Sequence, residues 1–202
     1  MSVVLEVADL TINTPGGSPL LSHLSFSLRS GQILAITGPN GIGKTTLLQA
    51  LLLDTHSSHM IWNTPPHERA YLPQLHNQYF HINLTLKDVL SFADSFNFQR
   101  IEEESFGLIS RTMLERAWNT ASGGERQKTL ITRLLLKRSK VLILDEPMNH
   151  LDKSSQKKVI EALHRFAAQE RCAVLMVTHE QHANLLANHK IESIDLEQWA
   201  SK

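Results

Sequence analysis

Residues 38–45, Gly-Pro-Asn-Gly-Ile-Gly-Lys-Thr, constrain the fold of this chain more than any other stretch. They fit G-x-x-x-x-G-K-[ST], and their flanks fit as well. Residues 32–37 form an apolar run that reads as a strand, and residues 45–52 are strong helix formers. Gly38, Gly41 and Gly43 let the backbone curl so that its N–H groups point inward at phosphate oxygens. The helix N-terminus adds its partial positive charge. Pro39, Asn40 and Ile42 complete the loop, and Thr46 continues the first helical turn. Lys44 is placed to reach β- and γ-phosphates, and the Thr45 hydroxyl to ligate Mg²⁺. The bland alternative is an ordinary glycine-rich strand-to-helix turn. Strand and helix in their expected places favour the other reading, a loop that holds a nucleoside triphosphate.

Composition bounds the rest. The 202 residues allow one domain, or one domain with a lobe, and 42% hydrophobic content supports a real core. Twenty basic residues balance twenty acidic ones, so no global field points to nucleic acid or to an anionic membrane. The single Cys172 lies in an apolar run and has no internal partner for a disulfide, in keeping with a reducing compartment. The first residues lack the basic start and apolar core of a secretion signal, and no run is long enough to span a bilayer. A soluble, cytosolic protein is expected. Eleven histidines invite a metal reading. In Thr178-His179-Glu180-Gln181-His182, however, the spacing falls one residue short of H-E-x-x-H, so the two rings do not share a helical face. Solvated surface histidines are the expectation, without a tightly bound structural or catalytic zinc.

Along the chain, short strands at 3–7 and 24–28 flank a turn at Pro15-Gly16-Gly17. A small strand is expected at 60–62 and an edge strand at 70–73, stopped by its proline. From 84 to 118 the pattern turns helical, opened by Thr85 with Asp88 three residues on. Phe106, Ile109, Met113, Leu114 and Ala117 recur at helical spacing and read as core. A helix at 124–137, a strand at 141–144, a helix at 153–169 and a strand at 173–178 follow. That alternation implies a parallel sheet with helices on both faces. Residues 1–75 and 126–202 are assigned to an α/β core with a small N-terminal antiparallel β-region. Residues from about 76 to 125 are assigned to an inserted α-helical subdomain.

Two further constellations carry chemistry. Residues 141–146, Val-Leu-Ile-Leu-Asp-Glu, place Asp145 and Glu146 at the carboxyl end of a buried parallel strand, where open α/β sheets bind ligands. Asp145 suits Mg²⁺ coordination, direct or through water, and Glu146 suits polarising a water that attacks the γ-phosphate. Ser122 and Glu125 form an S-x-x-E capping box around Gly123 and Gly124, which leave backbone N–H groups uncovered at a helix start. Alone, that segment is only a well-capped helix.

Together these motifs make the chain resemble the nucleotide-binding subunit of an ATP-binding-cassette (ABC) transporter over roughly residues 3–195. Residues 38–45 match Walker A, and Tyr71-Leu72-Pro73-Gln74 resembles the Q-loop. Ala121-Ser122-Gly123-Gly124-Glu125 resembles the signature motif. Residues 142–146 match Walker B, Asn149-His150-Leu151-Asp152 the D-loop, and Val177-Thr178-His179 the switch histidine. The resemblance implies a P-loop NTPase (RecA-like) core and Mg²⁺-dependent ATP hydrolysis. It also implies a head-to-tail dimer holding two ATP molecules. Each site would join Lys44, Thr45, Asp145, Glu146 and His179 of one chain to Ser122, Gly123 and Gly124 of the other. His179 would hydrogen-bond the γ-phosphate. Gln74 would reach Mg²⁺ or the lytic water, so that Glu146, His179 and Gln74 form the catalytic set and Thr45, Gln74 and Asp145 the metal set.

Three departures stand out. The signature begins with Ala121 where leucine is usual. The stretch 11–15 offers no aromatic residue to stack on adenine. The interval between Lys44 and Gln74 is short, so the β-region looks trimmed. The expected role is an ATPase peripheral to the inner face of the cell membrane, driving separate transmembrane permease subunits that dock near residues 78–82. The D-loop and the helix start at Thr85 look most like those of metal-ion and metal-chelate importers. The competing class is a soluble ABC ATPase acting on ribosomes or DNA, and the balanced charge speaks against a nucleic-acid partner.

Overall fold

The computed structural model describes residues 2–53, 58–74, 81–91 and 98–200. Two sheets organise them. β1 (Val3–Asn13), β2 (Pro19–Arg29) and β4 (Met60–Trp62) form an antiparallel sheet in the order β2-β1-β4. β3 (Ile33–Thr37), β5 (Arg69–Leu72), β6 (Val141–Asp145), β7 (Ala173–Val177) and β8 (Glu192–Asp195) form a parallel sheet in the order β5-β6-β7-β3-β8. β5 is an edge strand, as expected, and ends at Leu72, just before Pro73. β8, which forms the other edge, is too polar to have been read as a strand from sequence.

The central strands are buried along their whole length. Side chains alternate between faces with a period of two, so one strand serves two cores. Leu142 and Leu144 of β6 join Val174 and Met176 of β7 in a core with α5 (Gly123–Leu136) and α6 (Lys153–Glu170). Val141, Ile143, Leu175 and Val177 face the other way, onto α1 (Lys44–Leu53) and the antiparallel sheet. Each such side chain contributes roughly 1.5–3 kcal/mol by leaving water. The parallel register brings the carboxyl ends of β3, β6 and β7 to one rim, with Asp145 opposite Val177.

Between β5 and α5 the chain forms α2 (Leu86–Ser91), α3 (Phe98–Glu104) and α4 (Arg111–Leu114), and α2 and α3 pack on α5. Thr85 and Asp88 make the reciprocal start of α2: the Thr85 N–H donates to Asp88 Oδ2 at 2.8 Å and the Asp88 N–H to Thr85 Oγ1 at 3.2 Å. The stripe from Phe106 to Ala117 is not one helix. Phe106 and Gly107 follow α3 with φ of +51° and +82°, which breaks the helix. Ile109, Met113 and Leu114 are buried all the same. The spacing identified core residues but not the element that carries them, because separate short helices can present the same apolar face.

Candidate active site

β3 runs into the glycine-rich loop and α1 begins at Lys44, so the loop is held at the rim where β6 and β7 also end. Gly38, Gly41 and Gly43 all have positive φ, at +148°, +82° and +108°. At Gly43 the demand is also steric, since a Cβ there would lie 2.7 Å from Leu20 Cδ2. The result is a cleft of about 190 Å³ lined by Leu20, Asn40, Gly41, Gly43, Lys44, Thr45, Thr46 and Glu146. Leu20, a β2 residue, was not foreseen. Nothing in its sequence context separates it from any other strand leucine.

Lys44 is buried, and its ammonium donates to the carbonyls of Gly38 at 2.7 Å and Pro39 at 2.9 Å. Burial pulls its pKa below the ordinary lysine value, while Glu146, Glu180 and Asp145 pull the other way. A cation held like this gains from an anion in the cleft, and a polyphosphate meets that need. Thr45 is exposed at the cleft, whereas Asp145 is almost fully buried beneath it. A hydroxyl and a carboxylate are hard oxygen donors suited to Mg²⁺. Tyr71 of β5 hydrogen-bonds Asp145; burial, followed by that carboxylate, raises the phenol's pKa.

Glu146 leaves β6 in the left-handed region, φ +52°, with its N–H donating to Val177 O at 3.0 Å. The turn aims the carboxylate into the cleft, and three side chains hold it. His179 Nε2 lies 3.1 Å from Oε1. Gln74 Nε2 donates to Oε2 at 2.8 Å, and Asn149 Nδ2 donates to the same oxygen. Gln74, Glu146 and His179 thus come together from three segments, and Asn149 joins them although the sequence reading gave it no part here.

Ser122, Gly123 and Gly124 do not line this cleft. Ser122 caps α5 through the expected box: its Oγ accepts from the Glu125 N–H at 3.2 Å, and its own N–H donates to Glu125 Oε2 at 2.9 Å. Both glycines answer a close approach. A Cβ on Gly123 would lie 3.0 Å from His150 Cβ, and one on Gly124 would lie 3.1 Å from His150 O. Gln127 is fully buried and donates to Pro147 O at 3.0 Å, tying α5 to the turn after Glu146. Ala121 is buried in the core.

Not all histidines are solvated, contrary to expectation. His182 is 4% exposed and shares a 2.8 Å hydrogen bond between its Nδ1 and Thr178 Oγ1. It sits in a short 3₁₀ turn (Glu180–His182) that leads to α7 (Ala183–Asn188), and its ring packs under the rim because Thr178 offers a partner. Of the stretch expected to dock a permease, residues 78–80 lie outside the described residues, while His81 and Ile82 are exposed. No helix among the described residues is long and apolar enough to cross a membrane.

Comparison with known proteins adds an independent line. The family model described as ABC transporter matches residues 21–149. The zinc import ATP-binding protein ZnuC of Pseudomonas syringae pv. syringae is 32% identical over 191 residues, 90% of this chain and 70% of that protein. ZnuC of Paracoccus denitrificans is 31% identical, covering 95% of this chain and 76% of that protein. Among solved structures, an ABC transporter ATP-binding protein from Pyrococcus furiosus superposes with a TM-score of 0.78 at 22% identity, over 98% of this chain and 99% of that one. An inward-facing transporter described as of the metal-chelate ABC type gives 0.75 at 25% identity, over 96% of this chain and 80% of that one.

Proposed function

The chain belongs to the ABC transporter family, and on that premise we propose that it is the ATP-hydrolysing subunit of a metal-ion or metal-chelate importer. Two copies close head-to-tail around two ATP molecules and drive separate transmembrane subunits from the inner face of the membrane. The cargo class is supported by relatives whose names specify zinc import and by the metal-chelate type of a structural neighbour. A soluble role on ribosomes or DNA is not favoured by these relatives.

The observation that carries the reading is Glu146 at the mouth of the glycine-rich cleft, fixed on both oxygens by Gln74, His179 and Asn149. Such a carboxylate is oriented to accept a proton from a water attacking the γ-phosphate. Lys44 exchanges its contacts with the Gly38 and Pro39 carbonyls for phosphate oxygens, and the loop N–H groups share the negative charge. Thr45, Asp145 and Gln74 would hold Mg²⁺, which would supply positive charge to offset the charge that develops on the phosphates. His179 moves from Glu146 to the γ-phosphate as it arrives. Ser122, Gly123 and Gly124, lying away from their own chain's cleft, face the γ-phosphate bound by the second copy, so bound ATP joins the copies and hydrolysis releases them.

Two variants test this. Lys44→Ala is expected to fold and to lose nucleotide binding or turnover. Glu146→Gln is expected to bind ATP, hydrolyse it roughly 10²–10⁴-fold more slowly, and elute as a dimer with Mg-free ATP in size-exclusion chromatography. A Glu146→Gln protein that stays monomeric and turns over at the wild-type rate overturns the assignment of the base.

A further inference from the structure

His179 reaches Glu146 from a segment that needs an anchor of its own. β7 ends at Val177, and the backbone there is held from both sides. Val177 O accepts from the Glu146 N–H at 3.0 Å, and the Thr178 N–H donates to Ile36 O at 2.9 Å. Past Thr178 the ladders stop. The chain then makes a single 3₁₀ turn, Glu180–His182, ahead of the six-residue α7. Helical pieces this short are marginal by themselves, so side chains must fix the turn. Of residues 179–185, all among those described, only His182 is buried. It is 4% exposed, and Thr178 is 1% exposed.

The His182 ring does more than fill space. Its Nδ1 shares a 2.8 Å hydrogen bond with Thr178 Oγ1, and its backbone N–H donates to His179 O at 3.1 Å. Thr178 and His182 thereby staple the two ends of the turn on either side of His179. An apolar side chain would bury there more cheaply, since a polar ring taken out of water costs free energy unless it is bonded. Apolar contact is non-directional, however, whereas a hydrogen bond fixes an orientation. Orientation is what His179 requires, because its side chain is 24% exposed and its Nε2 must lie 3.1 Å from Glu146 Oε1. Burial, then His179, lowers the His182 pKa, and Glu146 opposes the shift, so the three groups share one electrostatic neighbourhood.

We propose that His182 is a positioning residue for ATP hydrolysis: bonded to Thr178, it fixes the turn that presents His179 to Glu146 and to the γ-phosphate. It touches neither the nucleotide nor the reacting water and acts through His179 alone. With the backbone of 178–182 pinned, only the His179 ring has to swing when nucleotide arrives, so the turn is ordered before the reaction begins. The inference rests on the ATPase reading, in which His179 meets the γ-phosphate. Binding of the triphosphate by Lys44 and the glycine-rich loop does not depend on the staple. Breaking it should therefore lower kcat and leave KM near its wild-type value.

The test is steady-state ATPase kinetics and ATP titration on the full chain, comparing wild type with Thr178→Val, His182→Leu, His182→Asn and the Thr178→Val/His182→Leu double variant. Circular dichroism and melting midpoints verify each fold. Thr178→Val keeps the shape of the side chain and deletes the hydroxyl, so it decides the question if His182→Leu fails to fold. Thr178→Val and His182→Leu should each lower kcat about three- to tenfold, with KM and ATP affinity within about twofold. The double variant should lose no more than the worse single one, since both remove the same bond. His182→Asn sets an amide where Nδ1 stands and should recover most of the rate. In a His179→Ala background, Thr178→Val should change nothing further. Unchanged kcat in Thr178→Val, additive losses, His182→Asn no better than His182→Leu, or a further loss in the His179→Ala background overturns the positioning role, while wild-type turnover leaves the ATPase reading standing. Wild type that hydrolyses no ATP, or His179→Ala at the wild-type rate, overturns the reading beneath and this role with it.

Discussion

Gln74 Nε2 donates to Glu146 Oε2 at 2.8 Å, across the rim between the end of the edge strand β5 and the end of β6. Gln74 also borders a groove with Tyr71, Arg133 and Lys137, at the foot of α5. One side chain therefore touches the carboxylate assigned to the reaction and borders a groove against α5.

Removing that amide tests its positioning role. Gln74→Ala leaves Asn149 and His179 on Glu146 but deletes one hydrogen bond to a charged group, worth about 1.5–3 kcal/mol. We expect kcat to fall about ten- to hundredfold with ATP affinity within about twofold. Equal losses in kcat and affinity would give Gln74 a ground-state binding role instead.

The glycines of the loop should differ in cost. Gly41 and Gly43 both have positive φ, but only Gly43 lies against another side chain, Leu20. Backbone strain alone costs about 1–3 kcal/mol. Gly43→Ala should lower the melting temperature more than Gly41→Ala, and Leu20→Ala should recover part of that difference in the double variant. Identical melting shifts for the two glycine variants would show that Leu20 yields freely.

Leu20 also bears on nucleotide selectivity. It is an aliphatic wall of the cleft, while the β1–β2 turn that begins at Thr14 offers no aromatic ring. Aromatic stacking adds about 0.5–1.5 kcal/mol beyond buried area. GTP is expected to be hydrolysed at a rate comparable to ATP. Thr14→Tyr should tighten ATP binding by up to about tenfold. Paired titrations of ATP and GTP check both; strong native preference for ATP, unchanged by the substitution, would place the base against another group.

Acid should destabilise the protein through buried His182 and half-buried His164. Burial is the main cause of the lowered pKa of His182, with His179 adding to it; burial and then His189 lower that of His164. Between the lowered folded values and the ordinary value of about 6.5, the unfolded chain binds more protons. Stability is therefore full above about pH 6.5 and declines as pH falls through that window. Urea unfolding from pH 7.5 to 5 should show this decline, and His182→Gln should flatten it. An unchanged slope in that variant would assign the effect to other groups.

Much of the site was legible because its parts are local. The glycine-rich loop, the Ser122–Glu125 box and the Thr85–Asp88 box are each closed by contacts within a few residues, so sequence order alone specifies them. Buried strands such as β6 were equally plain, since burial on both faces demands a continuous apolar run. Other features depend on residues far apart in the chain. The polar edge strand β8 exists only because β3 offers it a ladder. Leu20 becomes a cleft wall only when β2 meets the loop, and His182 is buried only because the turn after β7 folds beneath the rim. Glu146 acquires its three holders from positions 74, 149 and 179, a convergence set by sheet order and not by spacing. The sequence by itself determined which groups could bind phosphate and activate water. Tertiary packing decided which of them meet, because contacts between distant segments are fixed by the arrangement of strands and helices around the two cores.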